Sequence, residues 1–306
     1  MTHADDSQQN DDVQARWLEQ AAAAPRRVVL ADAGDQRAVD AARELTDRGL
    51  AEPILVDDLD AVRTPAVIAA GEELERADLD DPLHVAALMV RVGEADACVA
   101  GASRPTADVL RAGIHLIGVA PDVSVISSSM LMILDDGRPI AFGDSGVLPD
   151  PDPEQLASVA ISSAATYAEL TGDEPRVAML SFSTKGSAQH PMVDEVLQAT
   201  DIVRGLAPNL AVDGEMQFDA AFVPAVGKRK APDSDVAGHA NVFIFPDLNS
   251  GNIAYKIAER IGGAQAFGPL LQGVAGVLHD LSHGASVEDM VNVAVIASLQ
   301  ATGRAG

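Results

Sequence analysis

The sequence predicts an α/β protein: three-layer α/β/α domains in which mostly parallel sheets are covered by helices on both faces. Three observations predict it. Short apolar runs with strand character alternate with helical-period segments of ten or more residues, a spacing that demands crossover connections. Polar loops bearing Ser, Asp and Gly follow the strands, where open α/β sheets gather their ligands. A length of 306 residues with 47% hydrophobic content gives core enough for two domains of roughly 150 residues each.

The first element is a polar-start helix over 11–24 with Trp17 on its apolar side, after a dozen polar residues that read as disordered. RVVLAD at 27–32 is a strand, 37–49 a helix, and EPILVDD at 52–58 a second strand. Residues 57–81 are acidic and irregular apart from a short helix over 66–74. A helix over 84–95, a buried strand at 96–102 and a helix over 106–118 with Thr106 at its N-cap continue the alternation. Strands 123–134 and 139–143 flank Asp135-Asp136-Gly137, which predicts an antiparallel hairpin inside otherwise parallel order. Pro149, Pro151 and Pro153 break the chain. Helix 154–170, strand 177–182, helix 192–205, strand 241–247, helix 251–261 and a last helix over 287–302 complete the series.

The chain carries 46 acidic against 21 basic residues, a net charge of −25, with 32 Asp to 14 Glu and only 4 Lys. An acidic surface repels phosphate backbones, so nucleic-acid binding is disfavoured. Carboxylate excess with scarce Lys fits a salt-rich cytosol that screens self-repulsion; an ordinary acidic cytosolic protein is the alternative. No window reaches about 18 uninterrupted apolar residues, and the polar start lacks a basic-then-apolar signal. The expectation is therefore a cytoplasmic protein with no membrane partner. Cys98 is the only cysteine, which excludes an internal disulfide and a thiolate metal cluster; its apolar setting makes it a packing residue.

The run RVAMLSFSTKGSAQHP, 176–191, opens from an apolar strand into small hydroxyl residues, one Lys and one Gly ahead of a helix. Free N–H groups and the positive end of the helix dipole favour an anion there, with Ser181, Ser183, Thr184 and Ser187 as donors and Lys185 as a full charge. The competing reading is a polar turn in which Lys185 caps a carbonyl and His190 fixes the loop.

Four stretches, MLSFSTKGSAQHP, VDGEMQFDAAFVP, KAPDSDVAGHANVFIFPDLNSGNIAYK and DLSHGASVEDMVNVAVIASLQA, carry a resemblance. In their order and spacing they resemble the phosphate acetyltransferases, or phosphotransacetylases, of the phosphate acetyl/butyryltransferase family. The similarity runs from about residue 81 to the C-terminus and is weak ahead of it. The resemblance implies transfer of an acetyl group between coenzyme A and inorganic phosphate. Coenzyme A is then a substrate, no metal or permanent cofactor takes part, and a monovalent cation acts as activator. It also implies a homodimer whose protomers have two α/β domains across a cleft, as in isocitrate and isopropylmalate dehydrogenases. The second domain, 123–271, is inserted into the first, 1–122 plus 272–306.

Attack of a thiol on acetyl phosphate needs a proton acceptor, donors for the carbonyl oxyanion, and contacts to an anionic leaving group. DLSHGASVED contains candidates for all three. Ser282, His283 and Gly284 precede a helix start, and Asp289 lies in its first turn. The resemblance assigns Ser282 to the site and Asp289 as base toward the thiol. Equally, Ser286 to Asp289 has capping-box spacing, with Asp in place of Glu at N3. Arg111 matches a family Arg for substrate binding or is a helix-surface residue; Arg104 lies in the preceding loop. Ser183, Thr184 and Lys185 would hold anionic groups in the same cleft, and Ser145 matches a loop position that is often Cys.

His283 departs from the family's Arg after that Ser, Ala285 replaces a Cys, and 71–81 is acidic where many members are basic. A lost permanent cation weakens anion binding by roughly 1.5–3 kcal/mol where nothing replaces it. Two alternatives to acetyl transfer follow: an acetyl-coenzyme A-binding regulatory homologue without turnover, and transfer of propionyl or butyryl groups. Asp213, Glu215, Asp247, Asn249 and Asn252 read as caps and turn closers rather than metal ligands, and His239, His279 and His283 make only a weak zinc set.

Overall fold

The computed structural model describes residues 13–121 and 123–304, and its strands form two separate sheets. The first comes from the two ends of the sequence: β1 (Arg27–Leu30), β2 (Glu52–Leu55), β3 (Ala97–Ala100) and β10 (Val277–Asp280). They run in the order β10-β3-β1-β2, all parallel. The second uses β4 (Ser127–Ile133), β5 (Pro139–Gly143), β6 (Arg176–Leu180), β7 (Ala211–Met216), β8 (Val242–Ile244) and β9 (Gln265–Gln272). Its order is β7-β6-β8-β5-β4-β9, with β4 antiparallel to both neighbours and the other pairings parallel. The hairpin expected at 135–137 is thus present.

Helices cover both faces of each sheet, as strands that read as unbroken apolar runs require. α1 (Val13–Ala23), α2 (Gln36–Asp47) and α12 (Val287–Arg304) lie on one face of the first sheet. On its other face lie α3 (Leu59–Val62), α4 (Pro65–Glu72), α5 (Pro82–Arg91) and α6 (Thr106–Ala112). α7 (Pro153–Thr171) and α8 (Pro191–Leu206) pack on the second sheet, opposite α9 (Phe218–Phe222), α10 (Pro224–Lys230) and α11 (Leu248–Arg260). One apolar cluster containing residues of α12, α7 and both sheets ties the halves together. Trp17 fastens α1 to it, donating Nε1–H to Leu170 O at 2.7 Å and meeting Phe267 edge-on.

Most elements follow from local signals. Asp152 and Gln155 make a reciprocal capping box on α7, Pro153 fills its first position, and Gly172 ends it in the left-handed region at φ 73°. Asp247 caps α11, as its sequence suggests. Helices α9 and α10 are additional to the series read from the sequence, and four further readings need correction. Thr106 is not an N-cap: Pro105 holds that position, the α-helix stops at Ala112, and a π-helical turn, Gly113–Ile117, follows. β7 was not foreseen, because its buried Asp213 and Glu215 break the apolar pattern. β9 was hidden by Gly268-Pro269, where a register shift against β4 accommodates a residue without an N–H. The region 57–81 holds an additional short helix, α3. The expectation of disorder for the first dozen residues lies outside the described residues.

Candidate functional site

The turn from β10 into α12 is built by its own polar side chains. Leu281 and Ala285 are buried and anchor it, leaving Ser282, His283 and Gly284 exposed between them. Ser286 then starts the helix. Its Oγ accepts from Asp289 N at 3.1 Å, while Asp289 Oδ2 accepts from Ser286 N at 2.8 Å and from Ser286 Oγ at 2.9 Å. The capping reading of Asp289 is therefore realised, and it leaves Oδ1 outside the cap.

The same Asp289 lines a cavity of about 180 Å³ with Ser282 and Gly284. β9 contributes Phe267, Gly268 and Pro269, and α11 contributes Lys256 and Arg260. These two cations were missed in the sequence. The signal was present at the end of NSGNIAYK, where Lys256 follows the Asp247 cap by two helical turns. His283 does not line this cavity; its side chain is exposed and its carbonyl faces Arg37.

Arg37 is the other residue sequence reasoning passed over. Held by Asp35 at 2.7 Å, it donates from Nη1 to Ala285 O at 2.7 Å and to His283 O at 3.1 Å, and from Nη2 to Ala102 O at 3.0 Å. One planar guanidinium thus joins the start of α2, the loop after β3 and the turn before α12.

The loop after β6 does something different from what its composition suggests. Ser183 is fully buried; its Oγ donates to Glu215 Oε1 at 2.8 Å and accepts from Ala188 N at 3.0 Å. Thr184 Oγ1 donates to Gln217 Oε1 and accepts from Gln217 N at 2.9 Å. Lys185, at φ 49°, pairs with Asp213 and donates to Gly214 O at 3.0 Å. Burial alone would raise Asp213, but Lys185 and Ser234 hold its carboxyl below the usual range. The donors expected to grip an anion are committed to the end of β7. Lys185 lines a second cavity of about 610 Å³ with Arg204 and Lys230, not the cavity of Ser282 and Asp289. Ser183, Thr184 and Lys185 are not among the residues that line the cavity of Ser282 and Asp289.

The remaining candidates are dispersed. Ser145 is buried in a turn organised by Asp144, whose carboxylate accepts from the N–H groups of Ser128, Gly146, Val147 and Leu148. Asn252 of α11 donates to Ser145 O at 3.0 Å, and Gly251 passes so close that a Cβ would lie 2.1 Å from Asp144 O. Arg111 is exposed on α6 and pairs with Asp108, and Arg104 pairs with Asp81 at 2.7 Å. Cys98 is fully buried, and burial pushes its thiol well above the ordinary range, as a packing residue requires. His190 caps α8, accepting from Met192 N at 3.2 Å. His279 is a core residue bonded to Leu271 N and Gln300.

The fold and this turn define an α/β protein with a small cavity at a strand-to-helix junction that offers two carboxylates, a hydroxyl and two cations, of which Arg260 is paired with Glu259 at 3.4 Å. Comparison with known proteins gives the class a name. The profile of the Phosphate acetyl/butaryl transferase family matches residues 12–79 and 69–298, so the likeness includes the segment ahead of residue 81 that reads as weak in the sequence. The phosphate acetyltransferase of Paracoccus denitrificans is 42% identical over 311 residues, covering 93% of this chain and 98% of that one. A phosphotransacetylase from Streptococcus pyogenes superposes with a TM-score of 0.86 at 37% identity, covering 95% of this chain and 98% of its own. The EutD phosphotransacetylase from Staphylococcus aureus gives 0.85 at 34%, covering 95% and 99%. This chain belongs to the Phosphate acetyl/butaryl transferase family.

Proposed function

We propose that the chain catalyses reversible acetyl transfer, acetyl phosphate plus coenzyme A giving acetyl-coenzyme A plus inorganic phosphate. The observation that carries this reading is the cavity shared by Ser282, Gly284, Asp289, Lys256 and Arg260, in a chain 42% identical to a phosphate acetyltransferase. Asp289 takes the thiol proton through the oxygen outside its cap. The sulfur lone pair attacks the acetyl carbon, the bond from that carbon to the phosphate oxygen breaks, and phosphate leaves with the electron pair. Ser282 Oγ–H and the N–H groups around Gly284 meet the charge that develops on the carbonyl oxygen. Lys256 and Arg260 attract phosphate and make the thiol more acidic, which eases proton transfer from a thiol to a carboxylate, ordinarily the weaker base.

His283, exposed next to Ser282, helps to steady the acyl phosphate, and Arg111 anchors substrate or a phosphate of coenzyme A. Ser145, buried behind the α11 start, supports the wall rather than touching substrate. The test is direct: purified protein in molar potassium chloride with acetyl phosphate and coenzyme A, monitored for thioester. Sustained turnover supports the enzyme. Tight binding of acetyl-coenzyme A without turnover supports the regulatory alternative, and faster reaction with butyryl phosphate moves the assignment to a longer acyl group.

The arrangement at a coarser scale follows the same reading. Division into 1–122 plus 272–306 and an inserted 123–271 is supported by the separation of the two sheets, and with it an architecture like that of isocitrate dehydrogenase. Homodimer formation rests on the family resemblance together with exposed Ile253, Ile257 and Ile261 along α11. A net charge of −25 supports work in a salt-rich cytoplasm, with a monovalent cation as activator.

A further inference from the structure

Immediately before the reacting turn, Asp280 ends β10 with its carboxyl 1% exposed. Its Oδ2 accepts from Thr106 Oγ1 at 2.5 Å, which ties the first residue of α6 to the strand that leads into Ser282. Its Oδ1 has no hydrogen-bond partner among the described residues. That oxygen sits over Gly101, at φ 110°, where a Cβ would lie only 2.2 Å from it. The glycine is therefore the space that admits the carboxyl.

The neighbouring donors are already committed. Ala102 N, Ser103 N and Ser103 Oγ all donate to Asp32 at the end of β1, at 3.2, 2.8 and 2.6 Å. Leu281 N, close enough to favour an anion at Asp280, donates to Ala100 O at 2.8 Å. The nearby cations, Arg37 at the start of α2 and Arg104 in the loop before α6, are held by Asp35 and Asp81; on α6, Asp108 is paired with Arg111, and Asp289 of α12 is turned to its cap. Asp280 is thus an enclosed carboxyl whose charged neighbour is another carboxylate, with one oxygen that no donor serves. Ionising it there is costly, because a buried charge needs a partner.

We propose that Asp280 is a positioning residue that works as the neutral acid, holding Thr106 so that the turn carrying Ser282, Gly284 and Asp289 stays seated, and that its ionisation, which leaves an enclosed charge with no cation beside it, unseats that turn as pH rises. Burial, with Asp32 beside it, pushes Asp280 up to about 7, against the opposing influence of the Thr106 hydroxyl and the nearby Leu281 N–H. The inference rests on reading 282–289 as the reacting turn. It adds a residue that touches no substrate.

Asp280→Asn supplies a neutral side chain of the same shape, and two readouts separate the inference from the functional reading. The first is kcat/KM for acetyl phosphate between about pH 6 and pH 9. Asp280→Asn keeps activity within about threefold of wild type at the acidic end and is relatively more active at the alkaline end, whereas Thr106→Val is impaired throughout. The second, independent of any activity, is chemical unfolding against pH. A raised carboxyl holds its proton more tightly in the folded chain, so wild-type stability falls from about pH 4 to about pH 7 and is level above. Asp280→Asn lacks that fall. A variant with the wild-type pH profile in both readouts overturns the inference. A wild type that shows the stability fall but no turnover retains the proton and refutes the functional reading alone.

Discussion

Arg37 donates to the carbonyl of Ala285 at 2.7 Å from a position 248 residues earlier in the chain. With the additional bonds to His283 O and Ala102 O, it fixes the backbone on either side of Gly284. Charged hydrogen bonds of this kind are worth about 1.5–3 kcal/mol each when nothing replaces them. Arg37→Ala is expected to lower kcat by roughly tenfold or more. Arg37→Lys restores little, because an ammonium cannot span three carbonyls in one plane. Steady-state rates on both variants, with circular dichroism to establish folding, check this; unchanged kcat in a folded Arg37→Ala protein refutes it.

Lys256 and Arg260, the latter paired with Glu259 at 3.4 Å, are the cations of the cavity, so their removal acts on binding before chemistry. Lys256→Ala and Arg260→Ala are each expected to raise KM for acetyl phosphate or coenzyme A by roughly tenfold, with a smaller change in kcat. The effect should shrink as potassium chloride is raised, because exposed charge is screened. KM values that stay at the wild-type level in low salt remove both residues from the site.

Lys185 is predicted to matter for stability rather than catalysis. Its partner Asp213 is mostly buried and also meets Arg204 at 2.7 Å. Lys185→Met is expected to cost about 1–2 kcal/mol in urea unfolding at neutral pH. Because the folded Asp213 carboxyl is depressed, its stabilising contribution is present above the ordinary carboxylate range and disappears as the solution becomes more acidic than that. The Lys185→Met deficit should therefore narrow toward low pH. A large rise in KM with unchanged stability reverses the assignment and returns Lys185 to an anion contact.

These cases mark what could be read from the chain alone. The α/β alternation was legible because caps and periodicity are local: Asp247 caps its helix in sequence as it does in space. β7 and β9 escaped because buried Asp213 and Glu215, and the pair Gly268-Pro269, obey tertiary rather than local rules. The turn at 282–289 was found for the same local reason. Lys256, Arg260 and Arg37 were not, since helix α11 and the start of α2 meet that turn only through folding. The hydroxyl-rich loop at 181–189 misled in the opposite sense. Its anion-binding composition serves Glu215 and Asp213, acids that belong to the protein itself.

His283 allows a test of how far phosphate extends beyond the cavity. Its side chain is exposed next to Ser282, and its backbone is fixed by Arg37. His283→Arg adds a permanent charge without disturbing that bond, and is expected to lower KM for acetyl phosphate by several-fold. No change in KM places the leaving phosphate elsewhere.

The most direct test of the central claim is the initial rate of thioester formation by Asp289→Asn beside wild type, with the unfolding midpoint of both recorded. Asn keeps an acceptor oxygen for the Ser286 cap, so stability should shift by less than about 1 kcal/mol. Loss of the proton acceptor should lower turnover by roughly a hundredfold or more. An Asp289→Asn protein that turns over within a few-fold of wild type contradicts the account.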